Sequence, residues 1–135
     1  MSEADNVRVV QRVFEAFGAG DEAAFLGLLS EDVEWTIAGP PVVPYAGERR
    51  GHAGVAEFLQ AIGGAVEMER FEPQEFIAQG DKVAVVGFER ARLRSTGRTF
   101  DNPWILLFTL RDGKVARFRS YEDTHAMAHA FGGLK

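Results

Sequence analysis

Hydrophobic positions along this chain change their period midway. Over about residues 5–18, Val9, Val10, Val13, Phe14 and Phe17 recur at helical spacing, which predicts an amphipathic helix. Ser2 to Asp5 can cap it, and Gly18-Ala19-Gly20 stop it. Asp21 is placed to cap a short second helix carrying Phe25, Leu28 and Leu29. Val33, Trp35 and Ile37 then alternate with Glu34 and Thr36 as a short strand. Gly39-Pro40-Pro41-Val42-Val43-Pro44 reads as a loop that continues to Gly51. A third helix is predicted over 53–62, with Val55, Phe58, Leu59 and Ile62 inward and Gly63-Gly64 at its end.

Beyond Gly64 the period becomes two. Strands are predicted over about 66–78, 83–93, 99–110 and from the Asp112-Gly113 hairpin turn to 123. Pro73 marks the first of these as an edge or bulged strand. Residues 124–131 form a short closing helix. Helices early and strands late indicate an α+β fold, with helices covering one face of a curved, mostly antiparallel sheet. Such a sheet makes a cone with one open end.

Composition narrows the classes. The chain has 135 residues, 46% of them hydrophobic, which fits one domain over 1–135 with a substantial core. It has no cysteine, so disulfide frameworks and thiolate metal sites are excluded. The acidic, polar start lacks the pattern of a signal peptide, and no apolar run is long enough to span a bilayer. A cytoplasmic protein without membrane contact is the expectation. A net charge of −5 argues against nucleic acid as a partner. Arg90, Arg92, Arg94 and Arg98 alternate around a turn, the pattern of a solvated strand edge. His52, His125 and His129 lack metal-site spacing, so no metal is expected.

The richest chemistry lies in 113–123. Alternation places Arg119, Tyr121 and Asp123 on one face and Phe118, Ser120 and Glu122 on the other. An acid, a phenol and a guanidinium fill an apolar core poorly, so this face is assigned to a pocket mouth. Asp123 is the candidate acid/base, with an N-cap of the last helix as its alternative. Tyr121 is a candidate hydrogen-bond donor to substrate, and His125 a second acid/base. Arg119 is a candidate for an anionic or carbonyl group, and His52 faces the entrance or caps a helix. Asn102 shares a face with Phe100, Trp104, Leu106 and Phe108, and it needs a partner from the backbone or a ligand. Trp35, Trp104, Phe14 and Phe17 are candidate lining, and Tyr45 a candidate lid residue. Eleven phenylalanines point to an apolar ligand.

Several of these segments together resemble a known family. They are Phe17-Gly18-Ala19-Gly20-Asp21, Leu29-Ser30-Glu31-Asp32-Val33-Glu34-Trp35, Gly51-His52, Gly80-Asp81-Lys82-Val83, Asp112-Gly113-Lys114-Val115 and Arg119-Ser120-Tyr121-Glu122-Asp123. In this order they resemble the SnoaL-like branch of the nuclear-transport-factor-2-like superfamily, related to polyketide cyclases and ketosteroid isomerase. The resemblance implies a cone-shaped α+β barrel, a homodimer formed through the sheet face and a small apolar ligand in the cone. It also implies cofactor-free acid/base chemistry of isomerase or cyclase type, with Asp123 at the place of the family's acid. A non-catalytic ligand-binding or dimerisation module is the alternative. Against ketosteroid isomerase itself, Val13 and Ile37 occupy the places of its helix-1 tyrosine and its base. An epoxide hydrolase of the limonene type is disfavoured by the spacing of Arg98 and Asp101.

Overall fold

A computed structural model describes residues 1–133. Helix α1 (Glu3–Ala19) starts at a reciprocal cap, in which the Asp5 N–H donates to Ser2 Oγ at 3.0 Å and the Ser2 N–H to Asp5 Oδ2 at 3.1 Å. Helix α2 (Glu22–Gly27) follows, capped by Asp21. The chain continues through β1 (Leu29–Ile37), β2 (Gly47–Arg50) and α3 (Gly51–Ala65). Then come β3 (Val66–Gln79), β4 (Lys82–Leu93), β5 (Thr99–Arg111), β6 (Lys114–Tyr121) and α4 (Thr124–Ala130).

The six strands form one curved, unclosed sheet in the order β2-β1-β6-β5-β4-β3. All neighbours are antiparallel except β1 and β6, which run parallel. β3 is an edge strand whose register shifts between Pro73 and Glu75, where proline cannot donate to a ladder. The β5–β6 turn places both Asp112 (φ 53°) and Gly113 (φ 78°) at positive φ, as a two-residue type I′ hairpin requires. Val9, Val10 and Val13 of α1, Phe25 of α2, and Val55, Phe58 and Ile62 of α3 pack on the inner face of the sheet in one core cluster.

Two elements depart from the sequence expectation. β2 falls within the expected loop. Its residues, Gly-Glu-Arg-Arg, bury little, so no hydrophobic alternation marks them, and only pairing with β1 defines the strand. Helix α3 runs through Gly63-Gly64 rather than ending there. Each glycine costs a helix about 1 kcal/mol, and burial of Phe58 and Ile62 beneath this helix outweighs that penalty. No helix among the described residues is long and apolar enough to cross a membrane.

Candidate functional site

The inner face of the sheet carries Val83, Val85, Gly87, Glu89, Ala91 and Leu93 from β4, and Phe100, Asn102, Trp104, Leu106 and Phe108 from β5. β6 adds Phe118 and Ser120, and Glu122 follows two residues later. Of these, Glu89, Leu106, Phe108, Phe118, Ser120 and Glu122 line a partly open cavity of about 60 Å³ together with residues of α1, α2 and α3. Its walls are largely aromatic: Phe14, Phe17, Phe25, Phe58, Phe71 and Phe118 all line it. Its polar lining comes from Glu89, Ser120 and Glu122 and from two polar aromatics, Trp35 and Tyr45, the latter carried in by the β1–β2 loop. Arg49 holds that loop through the carbonyl oxygens of Tyr45 (2.9 Å) and Pro44 (3.4 Å).

The polar groups form a connected set. Glu89 on β4 lies directly opposite Asn102 on β5. Asn102 Oδ1 accepts the Asp123 backbone N–H at 2.9 Å, so its amide nitrogen must face the other way, where Nδ2 donates to Glu122 Oε1 at 2.9 Å. Ser120 Oγ accepts the Ala38 N–H at 2.9 Å and donates to Glu122 Oε2. Glu122 therefore receives two side-chain donors. Glu89 has no such pair. The Trp104 indole N–H lies near it but outside hydrogen-bond geometry.

These surroundings separate the two carboxyls chemically. Burial, followed by the charge on Glu122, pushes the Glu89 carboxyl up to about 8, against the weaker pull of Asn102 and Trp104. Burial also raises Glu122, but Ser120 and Asn102 oppose the rise. The charge on Glu122 is itself a cause of the rise at Glu89, so as pH increases Glu122 gives up its proton before Glu89 does. Burial and both carboxylates hold the Tyr45 phenol well above the ordinary tyrosine range, so it stays a donor. Its hydroxyl has no partner among the described residues.

The structure divides the residues singled out from the sequence. Trp35, Tyr45, Phe14 and Phe17 line the cavity. Asn102 is fully buried behind it, orienting Glu122. Trp104 lies on the inner face, stacked near Phe14 at 6.2 Å. The β6 face assigned to the pocket is the outer one. Tyr121 is 50% exposed there, with the Arg119 guanidinium over its ring at 5.4 Å. Asp123 accepts the Ala126 N–H at 3.0 Å as the N-cap of α4, and His125 is exposed on that helix. His52 is bonded through Nε2 to the Leu29 carbonyl oxygen at 3.0 Å, which ties α3 to β1 rather than facing the cone. Asp101 points outward to Arg90 at 2.8 Å. Val13 and Ile37 do line the cavity, so both positions are inward and apolar.

Alternation identifies which residues share a face but not which face is inside, and the whole β6 assignment inverted on that one choice. The missed residues, Glu89 and Glu122, carried a signal. Glu89 interrupts the inward series Val83-Val85-Gly87-Ala91-Leu93, and Glu122 continues the face of Phe118 and Ser120. Among the described residues no group of three His, Cys, Asp or Glu side chains is placed to hold a metal.

Residues 10–118 match the SnoaL-like domain family. An NTF2-like protein from Burkholderia xenovorans LB400 is 45% identical and superposes with a TM-score of 0.91, covering 98% of this chain and 99% of that one. An NTF2-like protein of unknown function from Burkholderia pseudomallei K96243 is 28% identical, with a TM-score of 0.87 and the same coverage. TerC, co-crystallised with polyporic acid, is 30% identical with a TM-score of 0.85, over 94% of this chain and 98% of that one.

Proposed function

The chain belongs to the SnoaL-like domain family, and from that premise we propose that it binds a small apolar carbonyl compound in its cone and moves a proton on it. Glu122 is the base and Glu89 the acid. One observation carries this reading: two carboxyls share one apolar cavity, and their surroundings push their proton affinities apart. The Tyr45 hydroxyl and the protonated Glu89 donate to the carbonyl oxygen. Glu122 removes a proton from the adjacent carbon, and the enolate that forms is held by the same two donors. Return of the proton at another position gives isomerisation, and attack of the enolate carbon on a second carbonyl gives ring closure. Neither needs a cofactor. The co-crystallisation of the related TerC with polyporic acid supports a small-molecule ligand. The outer face of the sheet, where Val86, Ile105 and Tyr121 lie in register, supports a homodimer.

Deuterium uptake from heavy water into a panel of apolar ketones, read by mass spectrometry, tests the chemistry. Uptake is expected with the wild-type protein, is abolished in Glu122→Gln, falls in Glu89→Gln and persists in Asp123→Asn. Removing a general base typically costs about 10²–10⁴-fold. Uptake that survives Glu122→Gln sinks the assignment, and no uptake across the panel leaves a binding module.

A further inference from the structure

Both side-chain donors of Glu122 are oriented by backbone groups at the start of two closing segments. The Ser120 hydroxyl accepts the Ala38 N–H at 2.9 Å, so its own proton is turned to Glu122 Oε2. Asn102 Oδ1 accepts the Asp123 N–H at 2.9 Å, so its amide nitrogen is turned to Glu122 Oε1. Ala38 is the first residue of the β1–β2 loop, and Asp123 is the N-cap of α4. These two segments pack on each other at the carboxyl end of the cavity. The Tyr45 and Phe131 rings meet edge to face at 5.9 Å, and Phe131 also meets Phe100 at 6.2 Å. A Cβ on Gly39 would lie 3.1 Å from Ala46 Cβ and 3.6 Å from Met127 Cε.

The β1–β2 loop is built to move as one piece. Its backbone-to-backbone bonds are internal, from the Val43 N–H to the Pro40 carbonyl oxygen at 3.0 Å and from the Ala46 N–H to that of Val43 at 3.1 Å. Pro40, Pro41 and Pro44 stiffen it. Gly39 (φ 143°) and Gly47 (φ 111°) bound it in conformations that other residues rarely adopt, and glycine turns there at little steric cost. Arg49 latches it, with Nη1 donating to the Tyr45 carbonyl oxygen and Nη2 to that of Pro44. The cavity behind it is small. Its volume of about 60 Å³ is room for water, whereas an apolar cavity that takes one benzene measures about 150 Å³. A ring-bearing carbonyl compound reaches Glu122 only if a wall yields.

We infer that the β1–β2 loop and α4 form a cover over the cone, and that seating of this cover positions the Ser120 and Asn102 donors on Glu122. Opening withdraws the Ala38 and Asp123 N–H groups. The Ser120 hydroxyl and the Asn102 amide are then free to turn, and Glu122 loses the partners that favour its charged form. Ser120 and Asn102 are positioning residues, and the base is set only when the cover is closed. The titratable groups that face Glu122 are Glu89 from β4 and the Tyr45 phenol from the loop itself. The helices α1, α2 and α3 present Val13, Phe14, Phe17, Phe25, Phe58 and Ile62 to the cavity, and the Asp123 carboxyl is turned to the Ala126 N–H. The catalytic consequence rests on the reading of Glu122 as base, but the coupling itself is measured without substrate.

Amide hydrogen exchange and the carboxyl carbon resonance of Glu122 test it in Glu89→Gln protein, where Glu122 is the one carboxyl of the pair left to titrate. Adding Arg49→Gln is expected to speed exchange of the Ala38 amide about tenfold, the size of one lost hydrogen bond to a charged group. It leaves the Val85 amide in the middle of the sheet unchanged and moves the Glu122 titration to higher pH. In a Ser120→Ala background Arg49→Gln loses most of its effect on that titration, because the donor it acts through is gone. The wild-type chain supplies a check that needs no variant. After correction for the intrinsic rate, its Ala38 and Asp123 amides lose protection together as Glu122 takes up a proton, as linkage requires. A Glu122 titration unmoved by Arg49→Gln, an undiminished effect in Ser120→Ala, or wild-type protection that ignores the charge on Glu122 overturns the inference. Deuterium uptake into the ketone panel is scored alongside. Coupling without uptake upholds the cover and tells against Glu122 as a base for these ketones. Uptake without coupling overturns the cover alone.

Discussion

Glu89 dominates the acid/base behaviour of this protein because it is a carboxyl placed where the neighbouring strand positions carry valine, glycine, alanine and leucine. Its proton affinity in the fold, up to about 8, exceeds the ordinary carboxyl value of 4.5. Between those values the folded state binds more protons than the unfolded chain, so stability falls as pH rises through the window. Below it the contribution is fully present, and above it the contribution is lost. Glu122, raised in the same direction, adds to the trend. Thermal melts of the wild-type protein should therefore decline from pH 5 to pH 8. Glu89→Gln, a neutral isostere, should flatten the decline and be more stable at pH 8 by a few kcal/mol. A wild-type profile that rises over this range would contradict the burial of a proton on Glu89.

Among the elements, α4 and β4 owe their form to single residues. Asp123 is the side-chain cap of a seven-residue helix, so Asp123→Ala should cost about 1 kcal/mol in denaturant unfolding and leave proton exchange intact. Gly87 on β4 lies under the Trp104 ring. A Cβ there would come within 2.2 Å of Trp104 Cη2 and 2.7 Å of the Glu72 carbonyl oxygen. Gly87→Ala should destabilise by about 2–3 kcal/mol and change the near-ultraviolet dichroism as Trp104 is displaced. An unshifted unfolding midpoint would show that the ring has room to yield. Both elements were readable from the sequence, but the glycine's reason was not, since the residue that fills its space comes from β5.

For the whole molecule, the outer face of the sheet carries apolar side chains that the helices do not cover. Val86, Ile105 and Tyr121 form one row across β4, β5 and β6, and Ile105 is 46% exposed. A patch of this kind marks an association surface. Sedimentation should give a dimer for the wild-type protein and a monomer of unchanged fold for Ile105→Asp. A wild-type monomer at micromolar concentration would remove the sheet face as an interface.

The sequence by itself determined nearly every element, because hydrophobic period, capping residues and turn dipeptides act over a few residues and need no partner. α1, the Asp112-Gly113 hairpin and the edge position of Pro73 were all set at that range. It also determined which side chains of β6 travel together. Which of the two faces points into the cone was decided only by the tertiary structure, where helices cover one side of the sheet and leave the other open. That choice sent Asp123 to a helix cap and Glu122 to the cavity. It also brought Glu89 beside Glu122, although 33 positions separate them in the chain. The acidity of such a pair comes from shared burial and mutual repulsion, which exist only once the chain has closed around them.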